Sequence, residues 1–156
     1  MTDNIHRYRA RCSWEGSTGG GYHDYDRTHR AWSPPADGEL RLSADPAFRG
    51  DGALLNPEQL VVLAAASCQL LSFLASAALN RVDVREYEDE AEAVMPEEDK
   101  PERITTISLR PRIVVAPGTD PSLVFRLIDE AHHGCYVANT LNCDVRIEPE
   151  VIVAHA

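Results

Sequence analysis

Polar and apolar positions alternate with period two along residues 5–14. His6, Tyr8, Ala10, Cys12 and Trp14 share one face, and Arg7, Arg9 and Arg11 the other. The pattern predicts a half-buried strand, with Cys12 packed on its apolar side. Gly, Ser and Thr crowd residues 16–21 and mark a turn. Residues 22–32 read as a second strand and 39–43 as a short third, punctuated by Ser33-Pro34-Pro35 and Asp37-Gly38. An antiparallel meander is expected, followed by a loop over 45–56.

The period then changes. Asn56 suits a helix N-cap, Pro57 the first helical position, and Glu58 complements the helix dipole. From Gln59 to Asn80, 22 residues carry no charge. Such a run is long enough to span a bilayer. However, Gln59, Ser67, Gln69, Ser72, Ser76 and Asn80 interrupt it, alanine is abundant, and the basic flanks are weak. A helix buried on nearly all sides is the better reading. At 1.5 Å per residue it is ~35 Å long. A chain of 156 residues can hardly surround it. Part of its covering is therefore expected from a second copy of the chain, with small residues at 64–67 and 75–78 allowing close approach.

Residues 82–95 alternate again. Glu86, Glu88, Glu90 and Glu92 lie on one face, and Tyr87, Ala91, Ala93 and Met95 on the other. Nine acidic residues fall between Glu86 and Glu102, which reads as a solvated strand face and a turn. Residues 103–116 form a further strand, ended by Pro117-Gly118. Pro121–His133 is helical, with the stripe Val124, Leu127, Ile128 and Ala131 and a stop at Gly134. Residues 137–141 make one short further turn of helix. Cys143, Val145, Ile147, Val151 and Val153 line one face of a closing strand. The order predicts one α+β domain over residues 1–156, with antiparallel sheets.

Composition narrows the function. Hydrophobic residues make up 44% and charged residues 26%, which excludes collagen-like, low-complexity and wholly disordered chains. The net charge of -10 repels phosphate backbones and anionic membranes, and argues against nucleic acid as a partner. Four cysteines are too few for a disulfide scaffold, and none form a CxxC pair. Residues 1–9 hold no apolar run of the kind a signal peptide needs, so a cytoplasmic, reducing compartment is the expectation.

Cys68 sits mid-helix, twelve positions after the N-cap. It reads either as a small core residue or as a nucleophile. Burial alone would raise its pKa, and the dipole of its own helix is too far away to help, so a reactive Cys68 requires a nearby cation. Cys135 continues the apolar stripe of the second helix, so the two thiols can meet in the core. His132 and His133 point about 100° apart on a helix and do not easily ligate one ion. The glycines at 19–21 are followed by no helix and are not a phosphate loop.

Asn56-Pro57-Glu58-Gln59-Leu60 followed by Ala64-Ala65-Ala66-Ser67-Cys68 resembles the central motif of the OsmC/Ohr family of thiol peroxidases. Ala131-His132-His133-Gly134-Cys135-Tyr136-Val137-Ala138-Asn139, then Val145-Arg146-Ile147, resembles its second. Tyr25-Asp26-Arg27-Thr28-His29 and the 45–50 loop look like an OsmC-like branch of that family. The resemblance implies an OsmC-like fold, an intertwined homodimer whose sheets wrap two long central helices, and reduction of organic hydroperoxides. It gives Cys68 the peroxidatic position, Cys135 the resolving one and Glu58 the family's glutamate. The family's arginine falls on Arg27, with Arg49 as its rival. Glu58 would hold Arg27 in a bidentate pair. No bound cofactor is implied. An external dithiol, with a lipoylated protein as candidate, would reset the disulfide. The contrasting expectation is a non-catalytic dimer that binds an apolar ligand or senses redox state.

Glu58 and Cys68 are ten residues apart on one helix. Their Cα atoms are then ~15 Å apart along the axis and about 80° apart around it. One arginine cannot easily serve both, so Glu58 and Arg27 are expected to serve the Cys68 of a second chain.

Overall fold

The computed structural model describes residues 5–156, which form two compact units, one ending at Leu60 and one beginning at Val61. In the first, β1 (Arg11–Ser13), β2 (His29–Trp32) and β3 (Glu39–Leu42) make an antiparallel sheet in that order. The meander is as expected, but its strands are shorter. Residues 22–28, expected in the second strand, do not make a strand because Arg27 gathers them into a turn. Arg27 Nη1 donates to the Tyr25 carbonyl and Nη2 to the Tyr22 carbonyl, both at 2.7 Å. Cys12, expected to pack, is exposed. It stands opposite Ala31 on a sheet that buries little in this unit.

A 3-10 turn at Pro46–Phe48 follows, capped by Asp45, whose Oδ1 accepts from Ala47 N at 2.8 Å. Asn56 then starts α1 (Pro57–Leu79) with a reciprocal cap. Its Oδ1 accepts from Gln59 N at 2.8 Å, and Gln59 Oε1 accepts from Asn56 N at 3.0 Å, satisfying two donors that the helix start leaves free. At the other end Arg81 adopts a left-handed φ of 58°. Val82 N then bonds Ala77 O at 2.9 Å and Arg81 N bonds Ala78 O at 3.1 Å, a Schellman stop in which Val82 tucks into the core.

In the second unit, each strand expected over 82–95, 103–116 and 143–153 breaks once. The pieces are β4 (Val84–Asp89) and β5 (Glu92–Val94), β6 (Thr106–Leu109) and β7 (Pro111–Val115), β8 (Asp144–Ile147) and β9 (Glu150–Val153). They form two sheets, β4-β7-β9 and β5-β6-β8. The breaks lie side by side around Arg110. Its N–H bonds Asp89 Oδ1 at 2.7 Å, and its guanidinium reaches Glu92 at 3.4 Å and Glu148 at 3.3 Å. The result is a three-stranded ribbon bent across its middle. Within this unit the expectation of antiparallel sheets holds only for β4·β7 and β5·β6. β8 pairs parallel to β6, and β9 parallel to β7. The chain returns from β7 through two helices, and such a crossover permits parallel pairing that a tight turn forbids.

The inner face of the ribbon carries Ile107, Leu109, Ile113 and Val115, all fully buried. Against it pack Ala65, Phe73 and Ala77 of α1 and Val124, Leu127, Ile128 and Ala131 of α2 (Pro121–His133). α2 ends at Gly134 as expected, and α3 (Tyr136–Thr140) follows. Only one stripe of α1 is buried within the chain: Ala65, Gln69, Phe73 and Ala77. Leu71 and Leu79 on its other sides are 64% and 85% exposed. By length and composition α1 could also cross a membrane.

Candidate functional site

The second unit brings Cys68 and Cys135 together. Cys68 stands half-buried on α1. Cys135 is fully buried at the N-cap of α3, where its carbonyl accepts from Asn139 N at 3.0 Å. Both thiols are free and lie within hydrogen-bonding reach of each other.

Their environments push them in opposite directions. Burial is the largest single influence on the Cys68 thiol and raises it. The Val137 N–H, the Cys135 thiol, the Ser72 hydroxyl and the Tyr136 N–H act the other way, and together hold it below the ordinary thiol value. Burial also pushes Cys135 up. Amides of Ala138 and Val137 oppose that rise, while donation to Cys68 and the charge there reinforce it. Of the two thiols, Cys68 is thus the one that ionises first, with Cys135 the more weakly acidic neighbour. A thiolate is the nucleophile in thiol chemistry, and a thiol held beside it is placed to close a disulfide.

The cation expected beside Cys68 is not what lowers its pKa here. The donors are neutral: two amides at the start of α3, a thiol and a hydroxyl. The sequence reading considered only the dipole of the cysteine's own helix and missed the first amides of another. It also missed Ser72, although a residue four positions along a helix shares its face with Cys68.

The first unit brings Arg27 and Glu58 to one cavity of about 340 Å³, lined also by Trp14, Tyr25, His29 and Phe48. The Arg27 guanidinium lies 4.0 Å from the Tyr25 ring centre and 4.7 Å from that of Tyr22. The expected Arg27–Glu58 pair does not form within one chain. Arg27 is spent on the two tyrosine carbonyls, and among the described residues Glu58 makes no ion pair. Arg49 is exposed, at a left-handed φ of 66°, and does not line this cavity. His132 and His133 diverge: His133 Nδ1 bonds the Asp129 carbonyl at 2.8 Å, while His132 Nδ1 is buried with no partner among the described residues.

Comparison with known proteins is consistent with this geometry. The family described as OsmC-like protein matches residues 50–150. Among solved structures, an OsmC-like protein of unknown function from Vibrio cholerae is 26% identical, with a TM-score of 0.83 over 93% of this chain and 99% of that one. An organic hydroperoxide resistance protein OsmC from Legionella pneumophila is 17% identical, TM-score 0.71, over 97% and 100%. An organic hydroperoxide resistance protein from Elizabethkingia anophelis is 16% identical, TM-score 0.70, over 98% and 100%. No curated protein matches the chain.

Proposed function

Since this chain belongs to the OsmC-like protein family, we propose that it is a thiol peroxidase that reduces organic hydroperoxides in the cytoplasm. The Cys68 thiolate attacks the distal peroxide oxygen, giving an alcohol and Cys68 sulfenic acid. The Cys135 thiol condenses with that acid, releasing water and leaving a Cys68–Cys135 disulfide. An external dithiol, such as that of a lipoylated protein, resets the pair. The observation that carries this reading is the pair itself: two free thiols in reach of each other, one held below and one above the ordinary thiol value. The relatives named hydroperoxide resistance proteins support the substrate class.

The working form is a homodimer. The uncharged sides of α1, with Leu63, Leu71, Leu74 and Leu79 exposed at 37–85%, are the surface a second copy covers. In that dimer Arg27 and Glu58 act on Cys68 of the partner subunit, where Arg27 orients the peroxide and Glu58 supplies its counter-charge.

Stopped-flow reduction of cumene hydroperoxide tests the reading. Wild type is expected to consume one equivalent per chain with a mapped Cys68–Cys135 disulfide, and Cys68→Ser none. A wild-type protein that leaves the peroxide untouched, or a bridge to Cys12 or Cys143, overturns it. Co-refolding Cys68→Ser with Glu58→Ala chains tests the dimeric site. Recovered activity means the site is shared, and none, with heterodimers confirmed by mass, means it is not.

A further inference from the structure

We propose that His29 is a further catalytic residue, the proton donor to the leaving oxygen of the peroxide; the inference rests on the thiol peroxidase reading above. When sulfur takes the distal oxygen, the S–O bond forms, the O–O bond breaks, and the leaving group departs as an alkoxide. That alkoxide must gain a proton. The cavity that holds Arg27 and Glu58 also contains His29, and its other titratable members are Tyr25 and Asp45.

Each of these neighbours is already engaged or unsuited. Arg27 carries protons it does not give up. Tyr25 presents its ring to that guanidinium. Asp45 is engaged at both oxygens, by Ala47 N at 2.8 Å and Asn56 Nδ2 at 3.4 Å. Glu58 is the counter-charge in the proposed site. Cys135 keeps its thiol proton for the later release of water.

His29 has the opposite character. It opens β2 opposite Leu42, so its backbone is fixed by the sheet. Its Nδ1 is 2.9 Å from the Arg27 carbonyl oxygen. A carbonyl only accepts, so Nδ1 carries hydrogen and the ring orientation is set by that bond. Nε2 is left for a ligand, with no hydrogen-bond partner among the described residues. The imidazole is thus tethered to the backbone of the arginine that orients the peroxide. In the reaction, the imidazolium passes its Nε2 proton to the alkoxide, giving the alcohol, and the neutral ring regains a proton from water. Sulfur is oxidised by two electrons and the peroxide reduced by two.

The test separates proton donation from scaffolding by leaving group. Cumene hydroperoxide expels a basic alkoxide that needs a proton, whereas peroxyacetic acid expels acetate, which does not. Cys68 oxidation by each is followed in wild type, His29→Asn and His29→Gln. Asn keeps a side-chain N–H near the Arg27 carbonyl, and Gln keeps one near the Nε2 position, but neither transfers a proton. Both variants are expected to slow cumene hydroperoxide on the order of 100-fold and to leave peroxyacetic acid nearly unchanged. Equal slowing of the two oxidants assigns His29 a structural role and overturns the proposal. So does an unimpaired His29→Asn, which would mean that only the Arg27 tether matters. A wild-type protein that reduces neither oxidant overturns the thiol peroxidase reading itself.

Discussion

Replacing Ser72 by alanine removes one of the four donors that lower the Cys68 thiol while leaving the helix intact. A hydrogen bond to a charged group contributes about 1.5–3 kcal/mol. Sulfur is a diffuse acceptor and Cys68 is only half-buried, so ~1 kcal/mol is the reasonable share. With 1.36 kcal/mol equal to one pKa unit, that lowers the thiolate fraction at neutral pH about fivefold. The measurement is the rate of iodoacetamide alkylation at Cys68 in fully reduced protein, read by mass spectrometry across a pH series. Ser72→Ala is expected to react about fivefold more slowly near neutrality. At alkaline pH, where the thiol is ionised in both proteins, it should react slightly faster, because a more basic thiolate is the better nucleophile. A profile identical to wild type would mean that the hydroxyl serves the helix backbone rather than the sulfur. Slowing by the same factor at every pH would mean altered access rather than altered ionisation. Either result refutes the reasoning.

Two further outcomes follow from other parts of the molecule. Arg27→Ala is expected to slow cumene hydroperoxide reduction at least ~100-fold, and Arg49→Ala much less; the reverse ranking reassigns the arginine. At the ribbon bend, burial raises the Asp89 carboxyl, against the Arg110 N–H and guanidinium, and its Oδ2 and the nearby Tyr87 hydroxyl are buried with no hydrogen-bond partner among the described residues. A folded-state pKa above the unfolded one gives stability that is present below the unfolded value and lost as pH rises through the folded value. Asp89→Asn keeps the Arg110 bond and gives Tyr87 a neighbour able to donate. Its urea midpoint should match wild type near pH ~3.5 and exceed it by pH ~7. An advantage of equal size at both pH values would rule out ionisation as the cause.

Local chemistry was the most legible part of the sequence. Asn56 announces the start of α1, and Gly134 the end of α2, because caps are properties of a few adjacent residues. The stripe of α2 fixes its buried face. Strand breaks were not legible, because the alternation of Ile107, Leu109, Ile113 and Val115 runs unbroken through Arg110. The bend depends on what Arg110 meets on two other strands. Alternation also carries no direction, so the parallel pairing of β8 and β9 was hidden. Residues 22–28 read as part of a strand, yet Arg27 draws them into a turn. At the site, the sequence placed both thiols inside but looked for a charge to activate Cys68. The amides of Tyr136 and Val137 reach it only through the packing of α3 on α1.

That packing ties reactivity to the order of folding. The start of α3 is held in place by strands on either side of it in the sequence, since β8 and β9 close onto β6 and β7 across the whole α2–α3 connection. Such pairings between distant segments are the slowest contacts for a chain to make. Without those pairings nothing would hold the start of α3 against Cys68, which would then lack both the amides at its sulfur and Cys135 beside it. A molecule locally opened at these strands is therefore expected to leave Cys68 without those amides and without Cys135, and so less readily ionised than in the closed fold.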